Sequence, residues 1–219
     1  RGYDGTLTLI GDEPHYPYER PPLSKDYLQG KADRASVFVH PDDWYRTHDV
    51  DVNLGVAVSA IDRQRRRVTC SDGSTLPYTG LLLATGSRPN RLRVPGADVS
   101  GIHCLRRIDD SEAIHTAFDG TPKVVIIGAG WIGLETASAA RAAGLDVTVI
   151  EQAPLPLFGL LGPQLAESFA ALHRDHGVDL RLGVGVDQII GANGKAVGVR
   201  LADGALIDAD VILVGVGIT

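Results

Sequence analysis

The sequence predicts a three-layer α/β fold built around a Rossmann-like unit. A β-branched apolar run at residues 124–127 ends in the glycine-rich segment GAGWIG, a helical pattern continues to residue 143, and a second apolar run fills residues 147–150. Strand, glycine turn, helix and strand form one βαβ unit. An earlier alternating run at residues 6–10 ends in acidic residues and predicts the second strand of another unit of the same kind.

The glycine turn carries the pattern of a dinucleotide site. Gly128 permits a sharp turn, Gly130 lets a pyrophosphate approach the backbone, and Gly133 lets helix and strand pack closely. The unpaired N–H groups at the helix start would face the diphosphate. Glu151 ends the second strand, where an acid accepts hydrogen bonds from ribose hydroxyls. The alternative interpretation is a glycine-rich helix start without a ligand.

The same acid indicates which nucleotide binds. A carboxylate at Glu151 would repel a 2′-phosphate, and residues 152–158 contain no arginine to offset that charge. The sequence therefore favours NADH over NADPH.

Composition narrows the function classes. The chain has 219 residues with 44% hydrophobic and 22% charged residues, values that an ordinary globular protein has. A net charge of −6 argues against nucleic acid as a partner. No apolar run is long enough for a membrane span, and no signal peptide is recognised. The two cysteines form no CxxC pair, which favours the cytoplasm, and the seven histidines have no metal-ligand spacing.

The ends of the sequence predict a fragment. It begins at Arg1 without a methionine, and it ends at Thr219 soon after a strand-like run.

The first hundred residues predict short, alternating elements. After Asp12 and Glu13, whose acids would face a ribose or simply form a polar turn, prolines lead into a short helix over residues 22–28. Lys25 in that helix is either solvated or a fixed positive charge beside a planar ligand. A second short helix is predicted over residues 41–47.

Strands and a hairpin follow. Strands are predicted at residues 52–54 and 56–61, a hairpin joins 67–70 to 74–76, and a buried strand at 81–83 precedes the small-residue segment ATGSRP. The arginine run at residues 63–67 is either a solvated turn or a docking patch for an acidic protein.

The second half predicts longer elements. A helix over residues 108–118 leads into the βαβ unit, and an amphipathic helix over 163–176 presents Leu165, Phe169 and Leu172 on one face before Gly177 ends it. A strand at 179–182, a meander over 186–207 and a last strand at 211–214 complete the pattern.

Several motifs occur in the order found in one family. GYDG, LIGDE, PYERPPLSK, ATGSRP, LRRIDD, GAGWIGLE, VTVIE and VGVG resemble the FAD-dependent ferredoxin reductases, which include putidaredoxin, rubredoxin and Rieske dioxygenase reductases of the glutathione-reductase-like superfamily. The resemblance implies two Rossmann-like domains, truncated at both ends. Residues 1–107 would be a partial FAD-binding domain without its first βα unit, and residues 108–219 an inserted NAD-binding domain.

The resemblance also implies site residues. Lys25 would lie near flavin N5, and Glu135 would pair with it and contact the nicotinamide carboxamide. Trp131 would shield the flavin until nicotinamide enters, or would only pack. The remaining positions implied at the FAD or NADH sites are Asp12, Glu13, Arg20, Pro21, Val58, Ala84, Thr85, Gly86, Arg106, Gly128, Gly130, Ile132, Gly133, Glu151 and Gly215.

The function implied is electron transfer from NADH through FAD to a ferredoxin-type iron–sulfur protein that serves a P450 or a Rieske oxygenase. The alternatives are a monodehydroascorbate-type reductase of small acceptors and a binding flavoprotein that responds to NADH, similar to apoptosis-inducing factor. The fragment alone is expected to be inactive and to hold FAD weakly or not at all. The oligomeric state stays open.

Overall fold

The structure, a computed structural model, describes residues 4–120 and 122–219, which group into two compact units. The first unit comprises the described part of Arg1–Glu19 with Arg34–Gly86, and the second comprises Arg20–Asp33 with the described part of Ser87–Thr219. Arg1 and the first two residues of the GYDG motif, Gly2 and Tyr3, lie outside the described residues. The assignment of residues 1–107 to an FAD-binding domain stays a prediction. The two units are defined by contacts within the chain, and these contacts do not show which ligand a unit binds.

The first unit contains two small sheets. Strands β1 (Leu7–Gly11) and β2 (Val50–Leu54) pair in parallel, with a 3₁₀ helix (Arg34–Val37) and helix α1 (Asp42–Thr47) between them in the chain. Strands β3 (Val58–Asp62), β4 (Arg67–Cys70) and β5 (Thr75–Pro77) form an antiparallel sheet. The predicted strands, hairpin and short helix are confirmed here, with shifts of a few residues at their ends.

The predicted buried strand at residues 81–83 is wrong. The segment has no strand conformation, and its leucines are exposed, with Leu82 88% accessible. A strand requires a neighbour for its backbone N–H and C=O groups, and no strand in the described part of the chain pairs with this run. Apolar character alone therefore did not determine the conformation.

The second unit is organised by a parallel sheet in the order β6–β13–β7–β8–β9. After β6 (Ile102–His103), the chain forms α2 (Ile108–Phe118), β7 (Lys123–Ile127), α3 (Trp131–Ala142), β8 (Asp146–Glu151), α4 (Phe158–Asp175) and β9 (Val178–Leu182). An antiparallel sheet of β10 (Val186–Ala192), β11 (Lys195–Leu201) and β12 (Leu206–Asp208) precedes β13 (Val211–Val214). The predicted βαβ unit is confirmed.

Strand β7 shows why this sheet lies between two layers. Val124 and Ile126 belong to the core on the helix side, whereas Val125 and Ile127 belong to the core beside the antiparallel sheet. Successive side chains of a strand point to opposite faces, so both faces of β7 are buried. Its continuous β-branched run is typical of a strand in a covered parallel sheet.

The segment Arg20–Asp33 packs as part of the second unit. Its 3₁₀ helix covers only Pro21–Ser24, because Lys25 takes φ −121° and ψ −120°, and turns follow to Gly30. The helix predicted over residues 22–28 is therefore wrong beyond residue 24. Leu28 nevertheless has 1% exposure within the helix-side core, so apolar burial fixes the segment without a regular helix.

Helix α4 buries a different stripe from the one predicted. Ala166, Ala170 and His173 are its buried residues. Leu165 and Leu172 are more than half exposed, whereas Phe169 is partly buried against the helix-side core. Gly162, at φ 73° and ψ 173°, interrupts the helix before Pro163. Among the described residues, no helix is both long and apolar enough to cross a membrane.

Candidate functional site

The three glycines of the turn after β7 have different steric surroundings. A Cβ on Gly128, whose φ is 104°, would lie 2.4 Å from the carbonyl oxygen of Gly215. A Cβ on Gly133 would lie 2.0 Å from the carbonyl oxygen of Gly128. A Cβ on Gly130 would meet no atom within 4 Å. The first and third glycines are thus required by packing, and the backbone at Gly130 faces open space that a ligand can enter.

The N-terminus of α3 is available to an anion. Gly130 is the N-cap and offers no side-chain cap, and Leu134 N–H is bonded to Gly130 C=O at 3.0 Å. The N–H groups of residues 131–133 precede the first intrahelical donor and have no acceptor within the helix. Their orientation, together with the positive end of the helix dipole, suits a diphosphate beside Gly130.

Glu151 ends β8 next to this turn. Its Oε2 accepts a hydrogen bond from Ala129 N–H at 2.7 Å, and its Oε1 accepts one from Ala153 N–H at 2.9 Å. These two bonds fix the carboxylate at the tip of the strand. Each carboxylate oxygen keeps a further lone pair that can accept from a ribose hydroxyl.

The pair that the resemblance implies is present in the second unit. Lys25 Nζ lies 2.9 Å from Glu135 Oε1, with half of the lysine side chain and a quarter of the glutamate side chain exposed. Lys25 Nζ also lies 3.4 Å from Pro21 C=O. Water still reaches the Lys25 ammonium and the Glu135 carboxylate, so the free energy lost by partly burying the two charges is modest.

Ser24 contacts Glu135, and the sequence did not predict this contact. Its hydroxyl donates to Glu135 Oε2, and its side chain is buried. Glu135 thus receives Ser24 on one oxygen and Lys25 on the other. The only sequence signal was the position of Ser24 directly before Lys25, at the end of the proline-led turn.

Helix α2 holds the same segment from another side. Ser111 donates to Leu23 C=O at 2.7 Å, and His115 Nδ1 lies 2.8 Å from Leu28 C=O. Tyr27 donates to Glu112. The backbone that carries Ser24 and Lys25 is therefore fixed within the second unit.

Trp131 opens α3 and is 46% exposed. Its ring meets that of Phe169 edge-on, with centroids 5.5 Å apart. Ile132 beside it is also exposed. The contact with Phe169 fits packing, while the free face of the indole is accessible to a ligand, so both interpretations of Trp131 stand.

Arg20 and Arg106, which the resemblance assigns to the FAD site, lie together in the second unit. Arg20 donates to the carbonyl oxygen of Arg106, and the N–H groups of Arg106 and Arg107 donate to Asp110 at 2.9 Å and 2.7 Å. Arg106 Nε is buried and has no hydrogen-bond partner among the described residues. A buried donor without an acceptor is costly, and an anionic group of a cofactor would supply one. Pro21, next to Arg20, is exposed.

The candidates of the first unit lie at its surface. Asp12, Val58, Ala84, Thr85 and Gly86 are exposed. Glu13 accepts a hydrogen bond from Tyr18, which fixes its carboxylate beside the end of β1. Their roles toward FAD stay predictions.

The two cysteines, Cys70 and Cys104, are free thiols, the first buried and the second partly buried. Burial is the main cause that raises the pKa of the Cys104 thiol, and Asp110 adds to it. A raised pKa keeps the thiol protonated and weakly nucleophilic.

Comparisons with known proteins extend the sequence resemblance. Residues 1–219 match the family described as pyridine nucleotide-disulphide oxidoreductase. Rhodocoxin reductase of Rhodococcus erythropolis is 43% identical over 217 residues, which cover 99% of this chain and 51% of that protein. Putidaredoxin reductase of Pseudomonas putida is 36% identical over 222 residues, covering 99% and 53%.

Solved structures agree with this likeness. The covalent putidaredoxin reductase–putidaredoxin complex matches with a TM-score of 0.96 at 35% identity, over 99% of this chain and 53% of that chain. A ferredoxin reductase from Rhodopseudomonas palustris matches with a TM-score of 0.95 at 36% identity, over 99% and 54%. The chain therefore spans about half the length of the relatives it matches, and the resemblance to ferredoxin reductases holds along the whole chain.

Proposed function

The chain belongs to the pyridine nucleotide-disulphide oxidoreductase family, and we propose that its intact protein transfers electrons from NADH through FAD to a ferredoxin-type iron–sulfur protein. The observation that supports this proposal most directly is the Lys25–Glu135 pair at 2.9 Å. It joins a residue of the PPLSK motif to the second turn of α3, the helix whose start is the glycine turn.

NADH would be held by the glycine turn of the second unit. The open backbone at Gly130 and the uncapped start of α3 would receive the diphosphate. Glu151 would accept the ribose hydroxyls, and Gly215 and Ile132 would line the same region. Residues 152–162 contain no lysine or arginine to receive a 2′-phosphate, which supports NADH rather than NADPH.

Each unit contains residues that we assign to FAD. Asp12 and Glu13 would bind the adenosine side, with Val58 at the adenine. Arg106 would donate its orphaned Nε–H to an anionic or carbonyl group. The remaining positions assigned to FAD are Arg20, Pro21, Ala84, Thr85 and Gly86. When bound, FAD supplies the chemistry that accepts a hydride and releases electrons singly.

Lys25 and Glu135 would orient the reacting rings. Lys25 would place a fixed positive charge near flavin N5, where it would stabilise the anionic reduced ring. Glu135 would accept a hydrogen bond from the nicotinamide carboxamide while it offsets the charge of Lys25. Trp131 would cover this region from water until the nicotinamide enters.

The proposed partner is a small iron–sulfur protein of a P450 or Rieske oxygenase system. Support comes from the names of the relatives, which are reductases of rhodocoxin, putidaredoxin and rubredoxin and a reductase component of a biphenyl dioxygenase system. We place the protein in the cytoplasm, where free thiols such as those of Cys70 and Cys104 persist.

The test uses the intact FAD-loaded protein. Steady-state NADH oxidation is measured with a small ferredoxin, with a quinone and with the monodehydroascorbate radical as acceptors. The proposal expects the ferredoxin to be preferred. A preference for the small acceptors would overturn it, and so would slow turnover with every acceptor and a long-lived reduced flavin.

A further inference from the structure

We infer that Ser24 is a positioning residue that orients the Glu135 carboxylate toward the nicotinamide carboxamide. The inference rests on the proposed function, in which Glu135 contacts that carboxamide. It concerns a residue to which neither the motif pattern nor the family likeness gave a role.

The geometry places one donor on each carboxylate oxygen. Ser24 Oγ donates to Glu135 Oε2, and Lys25 Nζ lies 2.9 Å from Oε1. Two consecutive residues of one turn therefore contact both carboxylate oxygens of Glu135 on α3. An ionised carboxylate is an acceptor only, so the serine hydroxyl must direct its hydrogen to Oε2.

The two donors differ in rigidity. Ser24 is 2% exposed and has a short side chain, whereas Lys25 is a long, half-exposed side chain. An exposed ion pair is weakened by water and by the flexibility of the lysine. The bond from Ser24 is therefore the contact that fixes the rotation of the carboxylate plane, and Lys25 mainly supplies charge.

This rotation determines which nucleotide analogue is accepted. A fixed carboxylate presents its remaining lone pairs in one direction, where an amide N–H₂ can donate. A 3-acetylpyridine ring has a methyl group in place of that N–H₂ and cannot donate. Sites built to hydrogen-bond a substrate N–H reject the analogue that lacks it, so Ser24 would contribute to this discrimination through Glu135.

Ser111 provides a matched control. It is 1% exposed and holds the same segment, but its hydroxyl donates to the backbone of Leu23 and not to Glu135. Ser111→Ala would therefore loosen the segment without removing a donor from the carboxylate.

The experiment measures dissociation constants by calorimetry on the intact FAD-loaded protein. The probes are NAD⁺, its 3-acetylpyridine analogue and ADP-ribose, which has no nicotinamide. Ser24→Ala is expected to weaken NAD⁺ binding by about tenfold, because it removes the hydrogen bond from Ser24 to the charged Glu135 carboxylate. Binding of the analogue and of ADP-ribose should not change, and Ser24→Thr, which keeps the hydroxyl, should retain NAD⁺ affinity.

Several outcomes would overturn the inference. Equal weakening of NAD⁺ and the analogue in Ser24→Ala, or the same selectivity change in Ser111→Ala, would reduce Ser24 to a structural contact. Unchanged NAD⁺ affinity in Ser24→Ala would show that Ser24 does not position the Glu135 carboxylate for binding. If Ser24→Ala does not fold, Ser24→Cys, a near-isosteric weak donor, should show the same selective loss. If the wild type binds ADP-ribose but Ser24→Ala leaves NAD⁺ affinity unchanged, this inference alone is rejected. If the wild type does not bind ADP-ribose, the proposed function is rejected with it.

Discussion

Lys25 and Glu135 form an ion pair of 2.9 Å, although one lies in an early turn of the chain and the other on the helix after the glycine turn. Lys25→Ala should slow flavin reduction by NADH in the intact protein, because it removes the positive charge assigned to flavin N5. Stopped-flow absorbance measures this rate directly. Lys123→Ala is the matched control, since Lys123 is equally exposed and pairs with Asp208 at 3.0 Å. Equal rates for both variants would remove the role of Lys25.

Gly130 and Gly133 should respond differently to alanine. Gly133→Ala should destabilise the fold strongly, because its Cβ would lie 2.0 Å from Gly128 C=O. Gly130→Ala should melt within about 2 °C of the wild type, since no atom is near its Cβ. It should nevertheless lose ADP-ribose binding, because the methyl group would fill the space of the diphosphate. Thermal melting and calorimetry check both results, and unchanged ADP-ribose affinity in Gly130→Ala would contradict the assigned site.

Glu151→Ala should lower the preference for NADH over NADPH. The change removes the charge that repels a 2′-phosphate and the acceptor for the ribose hydroxyls. Dissociation constants for both nucleotides give the ratio, and Glu167→Ala on the exposed face of α4 serves as a control. If the ratio stays the same, Glu151 is not the ribose acid.

Trp131 should report nucleotide binding. In a Trp44→Phe variant it is the only tryptophan of these 219 residues, and 46% of its surface is exposed. If the indole shields the flavin until the nicotinamide enters, NAD⁺ should displace it and change its fluorescence emission spectrum. An emission spectrum that NAD⁺ leaves unchanged would favour simple packing against Phe169.

Acid should destabilise the second unit partly through His173. Burial, with a smaller contribution from His176, lowers the pKa of His173 below its usual 6.5, and burial likewise lowers the pKa of His103. The unfolded chain then binds more protons than the folded one just below pH 6.5, so stability rises with pH through this range and is lost as pH falls.

His173→Gln should therefore reduce the drop in melting temperature between about pH 7.5 and about pH 5.5. His48→Gln, at an exposed position, should leave that drop unchanged. If the melting temperature of His173→Gln drops as much as that of the wild type on acidification, His173 does not contribute to the acid destabilisation.

Regular periodicity and special backbone positions made most of the second unit predictable from sequence. The helix at Ile108–Phe118 and the strand at Val211–Val214 were predicted to the residue. The glycine turn followed from a short motif with a steric reason, whereas the Lys25–Glu135 contact was implied only by the resemblance to ferredoxin reductases. Tertiary context decided the rest. Residues 81–83 have a strand composition without a strand neighbour, and α4 turned its alanines inward after the break at Gly162.

The contact of Ser24 with Glu135 could not be predicted because it depends on a fold that brings a buried hydroxyl to α3. Serine is common before a lysine in turns, so neither its type nor its spacing marks it. Only the packing of Arg20–Asp33 with the second unit gives this serine a charged acceptor.

The burial of Leu28 affects where recombinant fragments of this protein should begin. Leu28 has 1% exposure in the same core as Ile114 and Phe118, yet it precedes them by a long stretch of chain. A recombinant piece that started at residue 108 would leave a cavity where this leucine belongs, and a buried leucine truncated to alanine already costs about 2–5 kcal/mol. Expression boundaries should therefore follow the side chains that fill each core, even when they come from distant parts of the linear sequence.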